Sequence, residues 1–124
     1  MRILVVDDNL LSSTAVLEQL RRAGHTPVVS PTLSETLRIA HDPAPDLILV
    51  NLAARAVDPP ILIRTLRDMP GLRTTRIVGF CGHLEHNLRT SALTAGCDHV
   101  ITNAVAFGQL GTFLGTLSEE RSKE

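Results

Sequence analysis

Aromatic side chains are nearly missing: the chain of 124 residues has three phenylalanines and neither tryptophan nor tyrosine. Base-stacking platforms, cation cages and flavin sandwiches are therefore hard to build, and aliphatic residues must form the core. Cysteine is scarce too; Cys81 and Cys97 make no disulfide framework. Twelve basic residues face thirteen acidic ones, a formal net charge of −1, without the basic excess of a protein built chiefly to hold nucleic acid. No apolar run approaches the ~20 residues of a membrane span. The opening Met1-Arg2 runs through Ile3-Leu4-Val5-Val6 straight into acid, too short a core for a secretory leader. A glycine-rich phosphate loop and a nucleophile elbow are also absent. The expectation is a cytoplasmic protein that is not an enzyme.

What is present reads as one globular domain, with 44% hydrophobic and 20% charged residues. Short apolar runs alternate with segments of helical period. Ile3–Val6 stops at Asp7-Asp8, Leu47–Val50 at Asn51, and Ile77–Phe80 at Cys81-Gly82. Runs apolar at every position suit central strands of a parallel sheet covered on both faces. Val28-Val29 and His99-Val100-Ile101 are shorter and suit strands nearer the edges.

Helices are expected between them. Val16, Leu17 and Leu20 mark the first, ending at Gly24. Thr32 and Glu35 form a capping-box pair for the second, and Pro60 fits the first turn of the third. Leu84, Leu88, Ala92 and Ala95 define a fourth helix that stops at Gly96. Phe107, Leu110, Leu114 and Leu117 define a single fifth one. Residues 1–117 then form the domain, and the charged segment 118–124 is a frayed tail or the start of a linker. Strand–helix alternation of this kind gives a three-layer α/β domain whose functional crevice lies beyond the carboxyl ends of the strands. Asp7, Asp8, Asn51, Cys81 and Asn103 fall there.

Asp7-Asp8 after the first strand, Pro45-Asp46-Leu47-Ile48-Leu49-Val50-Asn51 at the third and Ala95-Gly96-Cys97-Asp98 before the fifth together resemble a bacterial response-regulator receiver domain, over Arg2 to about Leu117. The resemblance implies a flavodoxin-like (βα)5 fold with strand order 2-1-3-4-5. It also implies a role in two-component signal transduction. Receivers of that family accept a phosphoryl group on an aspartate closing strand three, with Mg²⁺ held by the acidic pair. A Thr or Ser ending strand four and a Lys ending strand five complete their site.

Here Asp7 and Asp8 match the acidic pair, but Asn51 stands at the phosphoacceptor position, Cys81 at the hydroxyl position and Asn103 at the lysine position. A carboxamide cannot form an acyl phosphate, a thiol is a weak donor, and Asn103 lacks the positive charge. Val100 replaces the aromatic switch residue. The pattern is that of a pseudo-receiver, acting by protein–protein contact without aspartyl phosphorylation. With Ala104 where the family carries proline, a repositioned loop is expected after strand five. By the resemblance, Asp8 would touch Mg²⁺ directly, with the Asn51 side-chain oxygen and the Ala53 carbonyl beside it. At best Asp7, Asp8 and Asn51 make a weak Mg²⁺ site, and no cofactor is required. The bland alternative is an acidic pair that is solvated or caps the first helix. Arg55 is a candidate replacement cation.

Other patterns have two readings. Cys81, His83 and His86 are a metal-binding C-x-H-x-x-H cluster, or a strand-end cysteine with two solvent-facing histidines. Gly108, Gly111 and Gly115 form a stripe that admits close approach by a partner or a second copy on the face of helix four, strand five and helix five. Otherwise they mark a marginal helix. His25, His41 and His99 read as surface residues, and Arg64 and Arg67 as solvated helix charges. The runner-up function is a ligand or metal sensor using the altered pocket. Partners are signalling proteins, with neither nucleic acid nor membrane.

Overall fold

The computed structural model describes residues 1–41 and 43–122. Strands β1 (Arg2–Val6), β2 (Thr26–Ser30), β3 (Leu47–Asn51), β4 (Arg76–Cys81) and β5 (His99–Thr102) form one parallel sheet in the order β2-β1-β3-β4-β5. Helices α1 (Leu10–Arg22), α2 (Leu33–His41), α3 (Pro59–Asp68), α4 (His86–Ala95), α5 (Asn103–Gly108) and α6 (Leu110–Ser122) cover it, with a 3₁₀ turn at Pro70–Leu72. The flavodoxin-like topology expected above is the one observed. No helix among the described residues is long and apolar enough to cross a membrane.

Because successive strand residues point to opposite faces, each continuous apolar run feeds two cores. Ile3, Val5, Leu47, Leu49, Val78 and Phe80 pack beneath α1, α5 and α6, whereas Leu4, Val6, Ile48, Val50 and Ile77 pack beneath α2, α3 and α4. Gly79 is required in β4 by the side chain laid across it: a Cβ there would stand 2.8 Å from Leu52 Cδ1. Gly96 closes α4 with φ at 118°, a conformation L side chains rarely adopt. At the sheet margin, the Thr26 N–H donates to the Met1 carbonyl, so Pro27 turns its missing N–H outward.

Several expectations need correction. The last helical segment is two helices, not one. Thr102 ends β5 and caps α5 by accepting from the Val105 N–H at 3.3 Å, so a helix begins at Asn103 where a loop was expected. The break falls at Gln109, beside Gly108. Helix α6 runs to Ser122, so it includes residues 118–122 of the charged segment, and residues 123–124 lie outside the described residues. Leu84 is 74% exposed in a turn before α4 rather than on its buried stripe. The capping box of α2 is half formed: Thr32 Oγ1 accepts from the Glu35 N–H, but the Glu35 carboxylate turns to Arg38.

Arg67 is no solvated charge. Its guanidinium donates to the carbonyls of Gly96, Leu72 and Thr75 and pairs with Asp98, whose carboxylate also accepts from the Ile77 N–H. His99 is half-buried, edge-on to Phe113 with centroids 6.1 Å apart and within hydrogen-bond reach of Arg76, not a plain surface residue.

The glycine stripe divides. Gly111 lies against α1, where a Cβ would be 3.3 Å from that of Ala23, whereas Gly108 and Gly115 face open space. Gly115→Ala is therefore expected to stabilise the protein by about 1 kcal/mol, a rise of roughly 3–5 °C in melting temperature by circular dichroism. Gly111→Ala should gain less, because Ala23 must give way.

Candidate functional site

The pocket at the carboxyl end of the sheet is organised by hydrogen bonds to two carboxylates. The chain leaves β1 through Asp7 and Asp8 and enters α1 after Asn9, whose side chain accepts from the Leu11 and Ser12 N–H groups. Asn9 is the cap, a part the acidic pair does not play. Asp7 is buried, at 2% exposure. Its Oδ1 accepts from the Asn9 N–H and from Asn51 Nδ2, each at 2.9 Å, and its Oδ2 accepts from Ser12 Oγ at 2.5 Å. Three donors thus compensate a charge that burial would otherwise penalise.

Asp8 is exposed and reaches across to the loop after β3. Its Oδ2 accepts from the Arg55 N–H at 2.9 Å and the Ala56 N–H at 2.6 Å. Arg55 thus meets Asp8 through its backbone; its guanidinium forms no ion pair with that carboxylate among the described residues. So neither member caps the helix: Asp7 is a buried acceptor, and Asp8 is an exposed brace for the loop after β3.

Asn51 closes β3 with its carboxamide bridging the two sides. Nδ2 donates to Asp7 and, at 3.4 Å, toward Ser12 Oγ, while Oδ1 accepts from the Ala53 N–H at 2.9 Å. A donor on one side and an acceptor on the other fix which way the amide points. Asp8, Asn9, Asn51, Ala53 and Arg55 line a cleft of about 530 Å³. An adjoining cleft of about 460 Å³ runs from Asn51 past Leu11 and Ser12 to Phe80, Asn103 and Phe107. Asn103, in the first turn of α5, is thus brought to the second cleft.

Cys81 is not brought to either. Its side chain lies in the core beneath α4, with Sγ 4.0 Å from the Glu85 carbonyl, and burial raises its thiol pKa above the ordinary value. A raised pKa is the opposite of nucleophile activation. His83 and His86 are exposed, and no group of three His, Cys, Asp or Glu residues among those described is placed to hold a metal ion. The C-x-H-x-x-H cluster does not assemble. Cys97 is buried at the other end of the sheet, with its thiol pKa pushed up to about 11 chiefly by burial; both cysteines are free. Val100 is half-buried against the core, and its carbonyl accepts from Arg89 at 3.1 Å.

Ser12 is the pocket residue that sequence reasoning missed. Its only signal is position: a hydroxyl in the first turn of the helix that follows the acidic pair.

No protein-family model matches the chain, and no curated protein does. Solved structures match over nearly its full length. The receiver domain of a sensor histidine kinase from Pseudomonas aeruginosa, with a magnesium ion in its active site cleft, aligns with a TM-score of 0.81 at 22% identity, covering 91% of this chain and 93% of that one. The chemotaxis response regulator CheY4 of Vibrio cholerae aligns at 0.76 and 16% identity, covering 88% and 94%. A phosphorylated cyanobacterial phytochrome response regulator aligns at 0.75 and 21%, covering 95% and 91%. The fold is therefore that of the response-regulator receiver domain.

Proposed function

We propose that this protein is an atypical receiver of two-component-type signal transduction, working through protein–protein contact without aspartyl phosphorylation. The observation that carries the reading is Asn51. It stands at the end of β3, where a receiver's phosphoacceptor aspartate would, and its carboxamide is held on both sides by Asp7 and Ala53. An amide in that position offers no carboxylate oxygen for phosphoryl attack. Cys81 and Asn103 support the reading: the first is withdrawn into the core and the second carries no charge. The domain is a non-enzymatic cytoplasmic module whose partner is another signalling protein. The face of α4, β5 and the two helices after β5, with exposed Gly108 on α5 and Gly115 on α6, is the surface offered for that contact or for a second copy.

A second reading, a small-molecule sensor, is favoured by the cleft of about 460 Å³, which is within the range of ligand sites and combines Asn51, Asn103 and Ser12 with the apolar Leu11 and Phe107.

Amide NMR with beryllofluoride and Mg²⁺, a phosphoryl mimic, tests the first reading. The resonances of Asp7, Asp8, Asn51 and Cys81 are expected to stay in place. Shifts at those residues that extend into α4 would overturn it.

A further inference from the structure

Receivers of this fold are expected to hold a divalent cation at the acidic pair, and the donor set of this chain does not fit one. We infer that the Asn51 amide and the Ser12 hydroxyl are the built-in replacement for that cation, leaving the pocket metal-independent. The inference deepens the phosphorylation-independent reading above and rests on it.

A hard cation of the Mg²⁺ type needs oxygen lone pairs directed at it, commonly from carboxylates, and gives up its own waters reluctantly. In this pocket most of those lone pairs are committed, and the exposed Asp8 keeps only Oδ1 open. Asp7 Oδ1 accepts two N–H groups and Asp7 Oδ2 accepts the Ser12 hydroxyl. Asp8 Oδ2 accepts two backbone N–H groups from the loop after β3. The Asn51 side-chain oxygen, the ligand a cation would want, faces the Ala53 N–H instead. Turning the amide over to offer that oxygen would set its NH₂ against the Ala53 N–H. It would also set its oxygen against the Asp7 carboxylate. Two good hydrogen bonds would become two repulsive contacts.

The charge balance points the same way. Among the described residues two carboxylates, those of Asp7 and Asp8, face the pocket, and the buried one is compensated by three uncharged donors. With an aspartate at position 51, a third carboxylate would stand where Nδ2 now lies 2.9 Å from Asp7, and close like charges are relieved by a cation or a proton. The amide removes that demand.

Manganese(II) as a paramagnetic probe tests the inference on the ¹⁵N-labelled protein. In the unaltered chain, the amide signals of Asp8, Asn51 and Ala53 are expected to show no selective broadening, and about 10 mM MgCl₂ should leave the melting temperature unchanged. In Asn51→Asp, those signals should broaden at Mn²⁺ concentrations at least about 30-fold lower than any effect on the parent, and Mg²⁺ should raise the melting temperature. Ser12→Ala frees one Asp7 lone pair without adding charge and should respond between the two, which keeps the test usable if Asn51→Asp fails to fold without metal. Selective broadening of the parent within about threefold of the Asn51→Asp concentration would overturn the inference. So would variants no more responsive than the parent. Metal binding by the parent without a beryllofluoride response sinks this inference alone, whereas a beryllofluoride response sinks the reading beneath it.

Discussion

Arg67→Ala is expected to lower the unfolding free energy by about 3 kcal/mol, measured by urea titration followed by far-UV circular dichroism. Fluorescence will not serve, since the chain has no tryptophan or tyrosine. The guanidinium is 19% exposed and gathers the carbonyls of Leu72 and Thr75 beside the start of β4 with that of Gly96 at the end of α4. Deleting it leaves the Gly96 and Thr75 carbonyls without that donor in a place water reaches poorly, while Leu72 keeps the Thr75 N–H, and each orphaned acceptor costs about 1–3 kcal/mol. The ion pair contributes less, because Asp98 is 39% exposed and solvent screens the charge. Arg67→Lys keeps the charge but not the planar fork, and should recover only part of the loss. A cost within about 0.5 kcal/mol, as for an ordinary surface substitution, would show that the clasp contributes nothing.

Phe80→Ala carries the other large effect, a loss of about 4 kcal/mol in the same assay. Phe80 is fully buried among Ile3, Val5 and Ile101 and meets Phe107 edge-to-face at 5.9 Å, so truncation leaves a cavity and removes an aromatic pair. Phe80→Leu should cost far less, about 1–1.5 kcal/mol, by keeping most of the volume. Because Phe80 and Phe107 also wall the cleft beside Asn103, the alanine variant should deepen that cleft as it weakens the core. Near-equal midpoints for alanine and leucine would mean that the surroundings collapse onto the vacated space.

The central strands were legible because Ile3–Val6, Leu47–Val50 and Ile77–Phe80 are apolar at consecutive positions, a pattern that a sheet covered on both faces demands. Asn51 could be placed for the same reason: it ends one of those runs. The start of α5 was hidden because Thr102 belongs equally well to a strand or to a cap, and only the fold decides between them. Arg67 reads in the sequence as a solvated helix charge, and its role is hidden there. Its partners are mostly backbone carbonyls brought together by tertiary structure, and carbonyls leave no trace in side-chain identity. The Asp7–Ser12–Asn51 bonds lie between these extremes: the residues were visible, but the direction of the amide was not.

The outward-facing nitrogen of Pro27 bears on how copies of this molecule meet when crowded. A sheet margin is a template for further strands in proportion to the donors and acceptors it presents. On the β2 side that template is five residues long and lacks a donor near its start. Val28 is exposed there, yet a neighbour's strand laid alongside β2 would find its ladder broken at the second residue. Edge-to-edge stacking is therefore disfavoured along this margin, and association at high concentration should avoid the β2 side of the sheet.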